Sequence, residues 1–413
     1  MTLSRDSARL SRRAEQLKAS STLAVTARVR ELKAAGVDVI AFGAGEPDFD
    51  TPQPIKQAAI DAMLDGATRY SPIPGTPEAR KVIAEKLNRE NGIRCSPEDI
   101  VITTGGKHAL YLAAQAVIDD GDEVIIPTPG WVSYVPIVQL CGGVPVEVPA
   151  SVDNDFRITP EQLERAITPR TRAMIFNSPS NPCGTTYEPN HVRALAEVLA
   201  RHEQIMLFSD EIYEKLIYAD FAHLSPGSIE SIADRVITLN GLSKAYAMTG
   251  WRIGYACAPA GGKDDNPLAK AMARLQGQMT THIASFGYAA IVEALSNGAE
   301  AVESMRRTFA RRAERMYALV SAMPGFKCPR PTGAFYIFID VSDHFGRTSP
   351  GGKRIESGLT FAGALLEEAN VAVVPGEDFG EGCDKNIRLS FACSDENIDE
   401  GCRRIDDWLG MLS

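Results

Sequence analysis

The sequence predicts an α/β fold, with a mainly parallel sheet covered by helices on both faces and a second, smaller α+β domain. Between about residues 52 and 260, short apolar runs alternate with helical segments. Continuous apolar strands that alternate with helices are typical of a parallel sheet buried on both faces. After residue 264, a long helical stretch precedes a few strand-like runs, which indicates the separate α+β unit.

The elements can be placed in order from their capping residues and apolar runs. TPQPIKQAAIDAMLDG is an amphipathic helix that ends at Gly66, and TPEARKVIAEKLNRENG is a second helix with Thr76 as its N-cap and Gly92 after its end. The predicted strands of the large sheet are IVITT (100–104), EVIIP (123–127), VPVEV (144–148), AMIFN (173–177), IMLFS (205–209), VITLN (236–240) and IGYACA (253–258). The later unit contains a helical stretch (264–323) and the runs GAFYIFIDV (333–341), VAVVPG (371–376) and NIRLSFA (386–392).

Length and composition limit the class of protein. The 413 residues, 44% of them hydrophobic, are enough for two domains. We expect residues 48–300 to form the large domain, 301–413 the small C-terminal domain, and 1–47 an N-terminal arm that contributes part of the small domain. The net charge of −10 disfavours nucleic acid and anionic membranes as partners, and no apolar run approaches the ~20 residues of a membrane span. Eight scattered cysteines without a CxxC pair predict no metal site and a cytoplasmic enzyme.

Polar residues follow the predicted strands of the large sheet. Because the carboxyl ends of such strands form the edge where open α/β sheets bind ligands, these residues are expected to meet in one site. The segments are Gly105-Gly106-Lys107, Thr128-Pro129-Gly130-Trp131, Ser178 to Gly184 with Asn181, Asp210 to Tyr213, and Gly241 to Lys244.

The chemistry of these groups indicates the ligand. Gly105 and Gly106 open a helix whose free N–H groups suit an anion, and Ser243 and Arg252 add donors for a phosphate. A poorly solvated lysine near another cation, such as Lys244, can form a Schiff base with a carbonyl. A carboxylate such as Asp210 can keep an aromatic ring nitrogen protonated. A phosphate, an aldehyde and a pyridine together describe pyridoxal phosphate.

The motifs resemble those of the class I aminotransferases, which are fold-type I pyridoxal-phosphate enzymes. The resemblance runs from about residue 22 to 410. Within the family, the chain is most similar to the Iβ branch of bacterial and plant aspartate aminotransferases, some of which also use prephenate. It rests on AFGAGEPDFDTP, YSPIPGTPEAR, TTGGKHAL, WVSY, NSPSNPCG, SDEIY, SKAYAMTGWRIGY and NIRLSFA.

The resemblance implies a role for each site residue. Lys244 carries the cofactor and moves the proton, Asp210 pairs with the pyridinium nitrogen, and Tyr213 and Asn181 bond the phenolic oxygen. The cofactor is further expected to contact Trp131, which stacks on the ring, and Gly105, Gly106, Lys107, Ser243 and Arg252, which surround the phosphate.

The resemblance also implies substrate contacts and a partner. Arg388 is the expected fork for the α-carboxylate, Gly45 and Asn181 line the same pocket beside Trp131, and Lys107 is expected to bind the distal carboxylate of an acidic substrate. Tyr70 is expected to reach the phosphate of a neighbouring subunit, which implies a homodimer with shared sites. The expected reaction is L-aspartate with 2-oxoglutarate to oxaloacetate and L-glutamate, with prephenate as a further acceptor.

Two departures and three alternatives remain open at this point. Cys183 stands in the NPCG motif where the relatives have Thr, and Gly130 stands where they have Tyr, which we expect to leave space near the ring. Aminotransferases of aromatic, alanine or kynurenine specificity, or a C–S lyase, would use the same cofactor residues. A serine hydrolase, with Ser243 in a partial G-x-S-x-G elbow and His282 or His344 as base, is the alternative from another class.

Overall fold

The structure, a computed structural model, describes residues 21–258 and 266–413, together with residues 11, 14 and 15. Of the N-terminal arm expected within 1–47, residues 1–10, 12, 13 and 16–20 lie outside the described residues. Within the described ranges, the strands are β1 (Ile40–Ala41), β2 (Ile100–Thr103), β3 (Glu123–Thr128), β4 (Val144–Pro149), β5 (Thr171–Asn177), β6 (Met206–Asp210), β7 (Val236–Gly241), β8 (Gly254–Cys257), β9 (Tyr336–Asp340), β10 (Val371–Ala372), β11 (Val374–Pro375) and β12 (Asn386–Ser390).

Twelve α-helices of the described ranges surround these strands. They are α1 (Ser21–Ala34), α2 (Gln53–Leu64), α3 (Pro77–Lys86), α4 (Gly106–Val117), α5 (Tyr134–Leu140), α6 (Pro160–Ala166), α7 (Pro189–Ala200), α8 (Pro267–Gly277), α9 (Gly287–Asn297), α10 (Ala299–Ser321), α11 (Gly358–Ala369) and α12 (Asp395–Gly410). The Thr76 side chain accepts a hydrogen bond from the Ala79 amide, so it caps α3 as the sequence predicted.

Seven strands form one sheet in the order β2-β8-β7-β6-β5-β3-β4. Strand β8 runs antiparallel to both of its neighbours, β2 and β7. The remaining neighbours in the sheet pair in parallel. The predicted mainly parallel sheet is therefore confirmed, and each of its seven strands falls on a predicted apolar run.

Helices cover both faces of this sheet, as side-chain alternation along each strand requires. Val124 and Ile126 of β3 pack into a core with α4, α5 and α8, whereas Ile125 packs on the opposite face with α6 and α7. At the β2 end of that opposite face, α2, α3 and α9 complete the cover.

The C-terminal part of the chain builds a second, α+β core. Strands β11, β12 and β9 form an antiparallel sheet that packs against α10, α11 and α12. Strand β1 pairs in parallel with β10, and Ile40 and Phe42 are buried in this same core. The predicted long helical stretch is broken, because α8, α9 and α10 are separate helices. None of the helices among the described residues has the length and apolar character needed to cross a membrane.

Candidate active site

The first turn of α4 forms an anion cradle at the carboxyl edge of the sheet. Gly105 precedes the helix with φ +81°. A Cβ atom there would lie 2.5 Å from Nη2 of Arg252, so the guanidinium rests directly against this glycine. A Cβ atom on Gly254 of β8 would lie 2.4 Å from both Gly105 C and Gly106 N. Free helix N–H groups beside a guanidinium are a suitable site for a phosphate.

Replacing Gly105 by Ala is expected to weaken binding of pyridoxal phosphate by about tenfold to a hundredfold, because the methyl group meets Arg252 and the backbone is strained. Fluorescence titration of cofactor-free protein measures the change. Gly121→Ala is the matched control, since Gly121 also has a positive φ, at +90°, but nothing lies within 4 Å of its Cβ position. Equal affinities in the two variants would contradict the cradle assignment.

Lys244 follows β7 and lies half-buried in the centre of the site. Its Nζ donates a hydrogen bond of 2.5 Å to the carbonyl oxygen of Gly45. Burial lowers the pKa of Lys244 to about 8, and the Arg388 and Arg252 charges add to this while the Glu46 charge opposes it. The neutral amine, which is the form that attacks a carbonyl, is therefore more abundant near physiological pH than in an ordinary lysine.

Asp210 ends β6 and is held by two neighbouring elements. The Tyr134 hydroxyl donates to Oδ2 of Asp210 at 2.8 Å, and the Asn177 amide donates to its main-chain oxygen at 2.9 Å. Burial raises the pKa of Asp210 to about 6, although the hydrogen bond from Tyr134 opposes the shift. Keeping this carboxylate charged is costly even with the Lys244 charge nearby, so the group favours a further positively charged ligand atom.

Arg388 on β12 is buried, and its donors face the NPCG loop and the segment before Gly45. Its Nη1 donates to Oδ1 of Asn181 at 2.9 Å, and its Nη2 donates to the Gly43 carbonyl at 3.0 Å. Its Nε is buried without a hydrogen-bond partner in the described part of the chain. A buried guanidinium with a spare donor suits a carboxylate, which accepts two parallel N–H bonds.

Tyr213 and Trp131 extend the site on either side. The Tyr213 hydroxyl lies 2.9 Å from the hydroxyl of Tyr336, and either can donate. Lys107 Nζ lies 4.9 Å from the centre of the Trp131 ring. Partial burial and the Arg252 charge lower the pKa of Lys107. Ser243 is buried immediately before Lys244.

Tyr70 is the one predicted site residue that the structure places apart from the rest, within the described residues. Its side chain is 92% exposed, and its ring packs edge-on against His282 at 5.8 Å. His282 in turn accepts a hydrogen bond from the Ser71 amide and contacts the Ile283 carbonyl. Tyr70 is therefore oriented outward, toward solvent, in the single chain.

The serine hydrolase alternative finds no support in the placement of the histidines. Both ring nitrogens of His282 bond to backbone atoms of residues 71 and 283. His344 is buried between the rings of Phe326 and Phe361 in the C-terminal core. Neither imidazole is available to Ser243 as a base.

The structure adds two tyrosines that have no role predicted from the sequence. Tyr134 lies in the WVSY motif, but only the fold shows its bond to Asp210. Tyr336 lies in GAFYIFIDV, a run that predicts a strand and no site residue. The signal for Tyr134 is its spacing of three residues from Trp131, which places both on the first turn after β3.

The two departures, Gly130 and Cys183, both lie in closely packed surroundings. A Cβ atom at Gly130 would lie 2.9 Å from the Pro127 carbonyl and 3.4 Å from the Tyr134 ring, so a side chain here would require the local backbone to shift, and the expected space near the cofactor ring stays a prediction. Cys183 is fully buried in an apolar cluster with Phe156, Phe338 and others, and burial raises the pKa of its thiol.

A buried polar network lies next to Asp210. Ligand atoms of Glu211, Glu214 and His223 lie within 4.8 Å of one another, a spacing that a metal ion could use. Those atoms are already engaged, because His223 bonds Glu211 at 2.8 Å and Lys86 forms a buried ion pair with Glu214. The Glu214 pKa is lowered to about 2, with the Lys86 and His223 charges outweighing burial. The acidic and basic groups of this network therefore neutralise one another, and the network packs beside the candidate active site.

Comparisons with known proteins are consistent with this geometry. Residues 37–405 match the family described as Aminotransferase class I and II. The chain is 48% identical to the aspartate/prephenate aminotransferase of Cereibacter sphaeroides, over 96% of this chain and 98% of that protein. It is 44% identical to the aspartate aminotransferase of Bacillus subtilis, over the same shares.

Solved structures agree with the curated relatives. The aspartate aminotransferase of Rhizobium meliloti superposes with a TM-score of 0.93 at 43% identity, covering 98% of this chain and 99% of that one. The aspartate aminotransferase of Thermus thermophilus with maleate gives 0.88 at 43% identity, covering 96% and 99%.

Proposed function

Because the chain belongs to the class I and II aminotransferases, we propose that it binds pyridoxal phosphate and transfers the amino group of L-aspartate to 2-oxoglutarate. The observation that carries the proposal is the half-buried Lys244 amine, whose pKa is lowered to about 8, set among Asp210, Arg252 and Arg388. This combination supplies an amine that is more readily deprotonated than an ordinary lysine, a carboxylate and two guanidinium groups suited to anions in one cleft.

The residues present fit pyridoxal phosphate. The α4 cradle with Gly105, Gly106, Ser243 and Arg252 would hold the phosphate, and a Cβ atom at Gly105 would fill that cradle. Asp210 would pair with the ring nitrogen, Trp131 would pack on the ring face, and Tyr213 with Asn181 would bond the phenolic oxygen. When bound, the cofactor supplies an electron sink for the bonds at the substrate Cα.

The chain's own groups then position the substrate and move one proton. The Arg388 Nε and Nη atoms would take the α-carboxylate, with Gly45 beside it, and so fix the Cα–H bond relative to Lys244. Lys244 Nζ would accept the Cα proton as a general base and return it as a general acid. The lowered pKa suits this exchange, because a base works best when its pKa is near the operating pH.

An acidic substrate is favoured by a second cation in the cleft. Lys107 Nζ, over the Trp131 ring, would meet the distal carboxylate of aspartate or glutamate. The similarity to proteins called aspartate aminotransferases, one solved with the dicarboxylate maleate, supports the same reading. The name of the Cereibacter relative supports prephenate as a further amino acceptor.

Half-reaction spectroscopy tests the proposal. Protein loaded with pyridoxal phosphate is mixed separately with aspartate, glutamate, tyrosine or alanine, and the absorbance of the lysine-bound cofactor is followed. We expect rapid loss of the band with the two acidic amino acids and its recovery on addition of oxaloacetate, 2-oxoglutarate or prephenate. Conversion by aromatic or small neutral amino acids alone would replace the assignment with another specificity. Release of ammonia and pyruvate without an acceptor would identify a C–S lyase.

Replacing Lys107 by Met is expected to raise KM for aspartate by about tenfold while KM for alanine changes little, since only aspartate loses a charge-assisted bond. Steady-state kinetics with both donors measures the ratio. Lys107→Arg, which keeps the charge, should retain most of the preference. A parallel rise for both donors would assign Lys107 to the cofactor alone.

We also propose a homodimer with shared active sites. Large apolar side chains are exposed at the end of α2, in the following loop and after α8, at Met63, Leu64, Tyr70 and Met279. Such side chains are commonly covered by a partner. The outward orientation of Tyr70 suits a contact with the cofactor phosphate of a second subunit.

Subunit mixing tests the shared site. The variants Lys244→Ala and Tyr70→Glu should each be nearly inactive as pure dimers. Unfolding and refolding an equal mixture of the two should restore about a quarter of wild-type activity, because half of the dimers are mixed and each mixed dimer has one intact site. Each variant refolded alone is the control. A mixture as inactive as the pure variants would remove Tyr70 from the neighbouring site.

The division at residues 48–300 and 301–413 and a cytoplasmic location stay predictions. Limited proteolysis tests the domain division, and cell fractionation tests the location.

A further inference from the structure

Tyr336 contacts three parts of the active site with one side chain. It is 1% exposed, and its hydroxyl lies 2.9 Å from the Tyr213 hydroxyl. The Arg388 guanidinium carbon lies 4.5 Å from the centre of its ring. A Cβ atom at Gly45, whose carbonyl accepts from Lys244, would lie 3.6 Å from its hydroxyl oxygen.

The pairing of β9 with β12 explains why these groups meet. Tyr336 is opposite Ser390 and Arg388 is opposite Phe338 in this antiparallel pair. Residues two apart on a strand face the same side, so Tyr336 and Arg388 are diagonal neighbours on one face of the sheet. This face covers the active site, where Tyr213 approaches from the large sheet.

We propose that Tyr336 is a positioning residue that serves two groups of the site, the cofactor-facing Tyr213 and the carboxylate-binding Arg388. Its hydroxyl orients the Tyr213 hydroxyl toward the cofactor, and its ring supports Arg388 for the substrate carboxylate. The inference rests on the proposed function, since it concerns how this chain's residues approach pyridoxal phosphate and a carboxylate.

The hydroxyl pair contains two protons, of which one lies between the two oxygens. Burial raises the pKa of both hydroxyls, so both keep their protons and each can donate. If Tyr336 donates to Tyr213, the Tyr213 proton is left for the phenolic oxygen of the cofactor. A hydroxyl that accepts one hydrogen bond is also a stronger donor in the next.

The ring of Tyr336 acts on a different group. A guanidinium over an aromatic face gains electrostatic stabilisation, which increases where water is excluded. The Phe379 ring lies near Arg388 as well, at 5.3 Å, so the guanidinium is held between two aromatic rings. The hydroxyl and the ring therefore have separable roles, which two different substitutions distinguish.

A double-mutant cycle tests the role of the hydroxyl. Wild type, Tyr336→Phe, Tyr213→Phe and the double variant are loaded with pyridoxal phosphate, and the absorbance of the lysine-bound cofactor is titrated with pH. We expect Tyr336→Phe to raise the titration midpoint by about half a unit or more. The same change should have no further effect in the Tyr213→Phe background. Tyr288→Phe, which removes a buried hydroxyl that has no partner among the described residues, should leave the midpoint unchanged.

Maleate binding tests the role of the ring. Tyr336→Phe should leave the dissociation constant of maleate within about twofold of wild type, whereas Tyr336→Leu should raise it about tenfold. Circular dichroism shows whether each variant is folded. A pH midpoint of the cofactor absorbance that is unchanged in Tyr336→Phe but shifted in Tyr213→Phe would overturn the role of the hydroxyl alone. Equal maleate affinities in Tyr336→Leu and Tyr336→Phe would overturn the role of the ring. A wild-type protein that takes up no cofactor would overturn the proposed function and this inference together.

Discussion

Replacing Lys244 by Ala is expected to lower kcat by about 10⁴-fold or more. On the proposed function, the variant loses both the nucleophile that would hold the cofactor and the base that would move the substrate proton. Coupled assays with aspartate and 2-oxoglutarate measure the loss. Borohydride treatment followed by mass spectrometry shows in parallel whether the cofactor is covalently attached. Lys107→Ala is the matched control, since it removes a neighbouring lysine and should keep the covalent attachment. Turnover within tenfold of wild type in Lys244→Ala would refute the assignment.

The pH dependence of cofactor capture follows from the same lysine. The pKa of Lys244 is lowered to about 8 by burial and nearby cations, and only the neutral amine attacks. Below that value, the rate of covalent attachment to cofactor-free protein should rise about tenfold per pH unit, and it should level off above it. Stopped-flow absorbance measures the profile. A rate that continues to rise up to pH 10 would place the Lys244 pKa near its ordinary value.

Replacing Asp210 by Asn is the change with the second largest expected effect. The substitution keeps the shape of the side chain but removes the charge that would hold the ring nitrogen protonated. Breaking such a pair costs about 3–5 kcal/mol, which corresponds to a loss of ~10²- to ~5 × 10³-fold in kcat. Steady-state kinetics and cofactor affinity measure the loss. Tyr134→Phe, which removes only the hydrogen bond to Oδ2, should cost about tenfold. A variant Asp210→Asn with unaltered kcat would exclude the ring-nitrogen role.

The sign of the pH effect on cofactor affinity follows from Asp210. Burial raises the pKa of this carboxyl to about 6 in the cofactor-free protein, so the charged form is present above that value and is lost as pH falls through it. The dissociation constant for pyridoxal phosphate should therefore rise as pH falls below about 6. Fluorescence titration of wild type and Asp210→Asn separates this effect, because the asparagine variant should lack it.

The large sheet and the ligand edge were predictable because their signals are local. Apolar runs such as VITLN predict buried strands without reference to the rest of the fold, and β7 (Val236–Gly241) lies on that run. The carboxyl ends of parallel strands meet at one edge, so the approximate neighbourhood of Asp210 and Lys244 also follows from chain order. The antiparallel direction of β8 did not follow, because apolar periodicity carries no information on strand direction.

Contacts between side chains of distant elements could not be predicted in this way. Tyr336 has the pattern of a core aromatic residue on a strand, and its hydroxyl partner, Tyr213 in the turn after β6, is defined only by how that turn packs into the C-terminal core. The packing around Gly130 could not be predicted for a related reason. The direction of a missing Cβ atom depends on the local backbone, which directs it at the Pro127 carbonyl.

The contact of Gly254 with the Gly105–Gly106 peptide determines how the anion cradle behaves when the temperature rises and when the cofactor site is empty. Main chain meets main chain here without an intervening side chain, so no rotamer change can alter the spacing between β8 and the start of α4. The cradle is therefore preorganised, and cofactor binding needs little rearrangement of its amide groups. We expect the amides of Gly106 and Lys107, which have no helical partner, to exchange readily in cofactor-free protein and to gain protection from hydrogen exchange when a phosphate group binds.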